Sequence, residues 1–313
     1  MSAVLHAAAS VVPIVAVFVA GVIFARRKII SAVDSSVLSE FVFRFAVPAY
    51  LFAELYAADL AVLFEPHSLS VYAATAVVAA AVVAAWARFV HRVDVRGIAL
   101  RIMAAVQVNS AYFAIPVLML FFGDATPIFP VLLFQVLVFT MLVVAVMEAT
   151  TAGRVSAPAW RRVILGAGRS LLTPVVSACL AAVALNAAAV PVPAVVLRSG
   201  EFAGAAAAPV ALFALGLYLG GVGLRWRGTT ADENALVVVK CVLFPLLMWA
   251  AMNLAGVPDP WRGSLVLIAA MPAPQNLFTV AQAYDADVGL AAAAVVKSTI
   301  VALCLLPVWQ LLV

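Results

Sequence analysis

Charge is scarce in this chain. Asp, Glu, Lys and Arg make up 10% of its 313 residues, whereas 67% are apolar and the mean hydropathy is +1.19. A soluble domain has a roughly even apolar share, so this composition excludes a soluble globular fold. The net charge of +4 and pI of about 9.2 would suit nucleic acid in a soluble chain. Here the basic residues fall in short gaps between apolar runs, so membrane topology accounts for them and no nucleic-acid partner is expected. Cysteine and histidine are also sparse. Cys179, Cys241 and Cys304 lie inside apolar runs without Cys-x-x-Cys spacing, and His6, His67 and His91 stand alone, which argues against a disulfide framework and against a metal site. Gly-x-Ser-x-Gly, His-Glu-x-x-His and nucleotide-loop motifs are missing, so the sequence predicts neither an enzyme nor a bound cofactor. The first apolar run, 8 to 25, ends in Arg26-Arg27-Lys28 and does not read as a removable signal peptide.

What the chain does have is apolar segments of about 20 residues, enough for a helix to cross the hydrocarbon. Lipid offers no water to an open loop or sheet edge, so these segments read as helices and the fold class as an all-α polytopic membrane protein. Ten spans are expected near 5–25, 36–57, 68–90, 98–122 and 127–148, then 164–187, 203–223, 234–255, 261–284 and 288–312. Sorting the 18 Lys and Arg by loop tests that count independently of hydropathy. With the N-terminus outside, fourteen collect on the cytoplasmic side, Arg101 and Lys240 among them; only Arg198 and Arg262 stay outside, and Arg44 and Lys297 fall within spans. This asymmetry predicts a multi-pass protein of the inner cell membrane, lipid all around it, with both termini outside.

Shifting the sequence by 161 residues brings Pro13 onto Pro174, Phe41 onto Phe202, and Pro48-x-x-Leu51-Phe52-Ala53 onto Pro209-x-x-Leu212-Phe213-Ala214. One membrane domain, 1–313, therefore divides into two repeats, 1–150 and 160–313. Five spans is an odd number, so the second repeat enters the membrane in the opposite direction, as an inverted 5+5 repeat. Gly216-x-x-x-Gly220 allows close helix contact, either in ordinary packing or as a homodimer face.

Two spans at equivalent places are interrupted: Gln107-Val-Asn109-Ser-Ala-Tyr-Phe-Ala-Ile-Pro116 in span four, and Met271-Pro272-Ala-Pro274-Gln275-Asn276 in span nine. A polar amide in hydrocarbon is costly and a proline frees a carbonyl, so such breaks persist where they line a protected cavity. At about 1.5 Å per residue, Asn109 lies roughly 16 Å into its span, near the bilayer midplane. Opened half-helices present positive dipole ends there, which suits an anionic group. Lys297, in span ten, reads either as a contact for a carboxylate or as a structural or snorkelling charge. Arg44 offers a second guanidinium contact or an ion pair with Glu40 or Glu54. Asp124 and Asp285 fall just beyond the broken spans and read as helix caps or loop residues on opposite faces.

The breaks, the ten spans and the string Met271-Pro272-Ala-Pro274-Gln275-Asn276-Leu-Phe-Thr-Val-Ala-Gln282-x-Tyr-Asp285 resemble the auxin efflux carrier family, and span nine looks most like its bacterial malonate-carrier branch. The resemblance extends to Phe45-Ala-Val-Pro48 and to Asn109-x-x-Tyr-Phe-Ala-Ile-Pro116. It implies crossed, discontinuous helices four and nine, a helix set that acts as scaffold, and a substrate carboxylate held near the crossing. By motif, Asn109 matches the crossover asparagine, Pro272, Pro274 and Asn276 match the second break, and Gln135 matches a binding glutamine. Span four departs from the plant Asn-Pro-Asn-Thr-Tyr pattern, and the central segment near 150–163 is short, so a small mono- or dicarboxylate is expected in place of indole acetate. The expected activity is alternating-access transport of an organic anion, with Asn109, Gln275 or Asn276, and Lys297 as its contacts. Two other classes stay open: a sodium-coupled bile-acid-like symporter of the same architecture, and a receptor that binds without translocating.

Overall fold

The computed structural model describes residues 2–150, 173–222, 230–259 and 261–313, and among them it contains helices and no strands. The start of the expected sixth span, most of the central segment, and Arg154, Arg161, Arg162, Arg169, Arg225 and Arg227 lie outside the described residues. In chain order the principal elements are α1 (Ser2–Arg26), α2 (Ser35–Ala57), α3 (Pro66–Phe89), α4 (Val95–Val106), α5 (Ile115–Phe122), α6 (Ile128–Met147), α7 (Pro174–Ala187), α8 (Ala194–Gly221), α9 (Ala231–Leu254), α10 (Trp261–Ala270), α11 (Asn276–Ala283) and α12 (Val288–Leu312). Six of these, α2, α3, α6, α8, α9 and α12, are long and apolar enough to cross a membrane.

Prolines shape several of these helices in one way. Wide, π-type turns cover Val42–Ala46, Ser110–Ala114 and Val239–Leu243, and each ends two residues before a proline: Pro48, Pro116 and Pro245. A proline supplies no N–H to the carbonyl four residues back and its ring collides with that carbonyl; a wider turn relieves the collision. The stranded carbonyl still needs a donor. Cys241, four residues before Pro245, receives one from the Trp309 indole N–H at 3.3 Å, which ties α12 to α9.

The helices sort into two bundles by their contacts. In the first, α1 runs along α8, and α2 packs against α7 and α8. Glycine makes the α1–α8 contact possible: a Cβ on Gly216 would sit 2.1 Å from the Phe18 carbonyl oxygen, and one on Gly21 2.3 Å from that of Phe213. The Gly216-x-x-x-Gly220 face is therefore used inside the chain, against α1. Asn186 of α7 closes the end of α2 by donating to the carbonyls of Tyr56 at 2.7 Å and Ala58 at 2.8 Å. In the second bundle, α3 packs on α4 and α9, α9 on α10 and α12, and α4 on α6. The bundles meet where α8 packs against α5 and α1 against α12.

Two sequence expectations shift. The seventh apolar segment starts at Ala194, well before residue 203, because Arg198 and Glu201 lower the local hydropathy without breaking the helix. Lys240, counted with the cytoplasmic loop residues, is the tenth residue of α9 and is 1% exposed; a charge count by loop misses a lysine folded into a helix.

Candidate functional site

The segments read as breaks in the sequence are breaks in the structure. Helix α4 stops at Val106, and Gln107–Asn109 is non-helical before the wide turn at Ser110; α10 stops at Ala270, and helix resumes in α11 at Asn276. The two interruptions touch. The Asn109 backbone N–H donates to the Pro272 carbonyl at 2.9 Å, so each break satisfies part of what the other exposes, as backbone buried away from water requires.

A side chain from the next helix supports each break. The Val108 N–H donates to Gln135 Oε1 at 3.2 Å, and Gln135 Nε2 donates to the Tyr72 hydroxyl of α3 at 3.0 Å. In the second break the Ala273 N–H donates to Ser298 Oγ of α12 at 3.0 Å. Gln107 Nε2 donates to Thr140 Oγ1 at 3.2 Å. Gln107, Asn109, Ser110 and Gln135 are all buried, so a polar network stands where a bundle core would ordinarily be apolar.

Between the bundles these groups border a cavity of about 220 Å³. Its polar wall is Gln107, Asn109, Ser110, Gln135, Thr140, Gln275 and Asn276 of the second bundle, together with Thr173 at the head of α7. Phe43 and Leu51 of α2 and Val175 and Val176 of α7 form the facing apolar wall. Its size is below the roughly 300–1,000 Å³ of sites for drug-sized ligands, which suits a ligand of few heavy atoms. None of the described residues lining it is Lys, Arg, Asp or Glu. Recognition of an anion here would fall to amide and hydroxyl groups and to the N-terminal ends of the resumed helices, whose first N–H groups lack intrahelical partners.

The structure thus brings together Asn109, Gln135, Gln275 and Asn276, with Pro274 beside them. Pro272 supplies the carbonyl at the contact between the breaks, and Pro116 follows the wide turn of the first. Lys297 and Arg44 are held elsewhere. The Lys297 ammonium donates to Glu233 Oε2 at 2.6 Å and to Asn234 Oδ1 at 3.3 Å, across to α9. Arg44 pairs with Glu40 at 3.6 Å on a face where both side chains are about two-thirds exposed. Neither lines the cavity. Asp124 closes a turn by accepting from the Thr126 N–H at 2.8 Å.

Sequence reasoning picked Lys297 and passed over its neighbour. Successive helical residues point about 100° apart, and it is Ser298 that faces the break. It also passed over Tyr72, Thr140 and Thr173, single hydroxyls in apolar runs with no spacing signal. A further cluster lies away from the cavity: Arg101 of α4, buried at 5% exposure, pairs with Asp232 of α9 and with Asp287, 3.0 Å away, at the head of α12. Three helices of the second bundle are joined at one end by that guanidinium, a geometry that favours Arg over Lys.

A family model described as membrane transport protein matches residues 6–310. A protein of Rhizobium meliloti (strain 1021) named "Putative malonate transporter" is 36% identical over 102 residues, which is 32% of this chain and 31% of that protein. The alignment therefore spans less than a third of the relative's length.

Proposed function

The chain belongs to the membrane transport protein family, the auxin efflux carriers that its motifs resemble, and on that premise we propose that it is a secondary transporter of a small organic anion with a malonate-like carboxylate. The contact of the two breaks, Asn109 N–H on the Pro272 carbonyl beside a polar cavity between two bundles, carries this reading. Discontinuous helices meeting at a repeat interface are how many carriers build a substrate site. The name of the relative supports malonate as the first substrate to try.

In this reading α4 with α5, and α10 with α11, each count as one span, and with the other eight helices the chain has ten. Repeats 1–150 and 160–313 are then inverted copies. Two parallels support this: α3 and α9 are both 24 residues long, and Gln135 and Ser298 do the same job for the two breaks. Both termini face outward from the inner membrane, and a homodimer in lipid remains compatible with the exposed helix faces. The carboxylate docks among Asn109, Gln275, Asn276 and Gln135. The second bundle then moves against the first, whose apolar wall of Phe43, Leu51, Val175 and Val176 offers nothing that would hold it in one position. Lys297 and Arg44 serve as structural charges.

Uptake of radiolabelled malonate into proteoliposomes tests the proposal. Saturable uptake that unlabelled malonate accelerates from the opposite side supports a carrier. Saturable binding without flux would make the protein a receptor.

A further inference from the structure

A lysine is buried beside the second break. Lys240 sits on the wide turn before Pro245, its Nζ 3.3 Å from the Ala269 carbonyl oxygen and 5.0 Å from the centre of the Phe244 ring. The other buried basic side chains on the helices around this turn are engaged elsewhere: Arg101 of α4 with Asp232 and Asp287, and Lys297 of α12 with Glu233. From α3 come the Tyr72 hydroxyl, which accepts from Gln135, and the Thr75 hydroxyl, which donates to Val71. Helix α10 carries Arg262 at its far end, paired with Asp259. Among the described residues no carboxylate pairs with Lys240.

The carbonyl it holds exists because of the break. Ala269 is the next-to-last residue of α10, and in a continuous helix its oxygen would accept from the Ala273 N–H. That N–H goes to Ser298 Oγ instead. A carbonyl is left free at the negative end of a half-helix, deep in apolar surroundings, and the ammonium takes it. Freed carbonyls at the C-terminal end of a half-helix, with an aromatic face nearby, are groups that hold a small monovalent cation in carriers with broken helices.

We propose that the Lys240 ammonium is a built-in cation that fills the position a coupling metal ion would need, so that this chain binds no sodium at the crossing and is not driven by a sodium gradient. The assignment goes beyond the transport reading, and its first test needs no substrate. Melting of the purified full-length protein is followed in sodium, potassium, lithium and choline chloride at equal ionic strength. The wild type melts at the same temperature in all four. Lys240→Ala frees both the carbonyl and the space, and gains a rise of roughly 4–6 °C at saturating concentration of a small cation relative to choline. Lys240→Met fills the space without a charge and shows no salt response. A sodium-specific rise in the wild type overturns the proposal, and so does a folded Lys240→Ala protein as indifferent to all four salts as the wild type. Should Lys240→Ala not fold, malonate uptake by the wild type decides: equal rates from sodium and choline media support the assignment, and a sodium requirement overturns it. A salt pattern as expected with no malonate uptake under any gradient would instead count against the carrier reading alone.

Discussion

Gln135 allows scaffolding and recognition to be separated at one position. Its oxygen accepts the Val108 N–H, its nitrogen donates to Tyr72, and its side chain borders the cavity at 5% exposure. Gln135→Leu removes both bonds. Each buried group left without a partner costs about 1–3 kcal/mol, and because the cavity can admit water the lower end applies, about 2 kcal/mol in total, or a melting shift of about 3 °C downward. Gln135→Glu keeps an oxygen for the Val108 N–H, so at acid pH, with the carboxyl protonated, its melting should stay near wild type, and at alkaline pH the unpaired charge should lower it. An ionised carboxylate about 6 Å from a bound anion, at an effective dielectric of about 20, repels it by about 3 kcal/mol, close to a 100-fold loss of affinity. At acid pH the protonated form is a near copy of the glutamine and binding recovers. Malonate titrations by thermal shift or calorimetry at alkaline and acid pH measure both effects. A folded Gln135→Glu protein that binds malonate at alkaline pH as tightly as wild type would refute the placement of the anion beside this residue.

Other perturbations follow from the same geometry. Lys297→Ala leaves Glu233 as a largely buried, unpaired carboxylate and should destabilise by about 3–5 kcal/mol, whereas Lys297→Met combined with Glu233→Gln should recover most of the melting temperature with malonate affinity unchanged. A double variant that folds and no longer binds malonate would return Lys297 to the site. Gly216→Ala drives a methyl group into the Phe18 carbonyl; overpacking of about 1–3 kcal/mol or more should lower the melting temperature and the yield of purified protein. An unchanged melting curve would show that α1 and α8 are not so closely packed. Tyr72→Phe keeps the ring and removes the hydroxyl that accepts from Gln135, so a loss of about 1 kcal/mol is expected by thermal shift, with a modest fall in malonate affinity as Gln135 loses its anchor.

The breaks were legible because they violate the local pattern: amides and paired prolines in hydrocarbon leave few ways to satisfy the backbone. From them the sequence reading reached Asn109, Gln275 and Asn276, and motif resemblance added Gln135; the structure gathers all four on one cavity. The charges were harder to place. Lys297 and Arg44 attracted attention because a charge within a span is rare, but rarity does not reveal direction, and each points to a carboxylate of its own. Lys240 was misplaced by the opposite error: it stands inside the expected span 234–255, yet close enough to its start to be counted with the loop. Ser298, Thr140 and Thr173 carry no signal in one sequence. A hydroxyl inside a helix can bond its own preceding turn, and only tertiary contact distinguishes one that supports a neighbouring break.

The central claim is that an anion sits where two interrupted helices cross. A density map of the protein in lipid nanodiscs with malonate tests it most directly. The account predicts two broken helices in contact at Asn109 and Pro272, with a small ligand feature within about 3 Å of the amides of Asn109, Gln275 or Asn276. Continuous helices at these positions, or malonate density at Lys297 or Arg44 with the cavity empty, would contradict it.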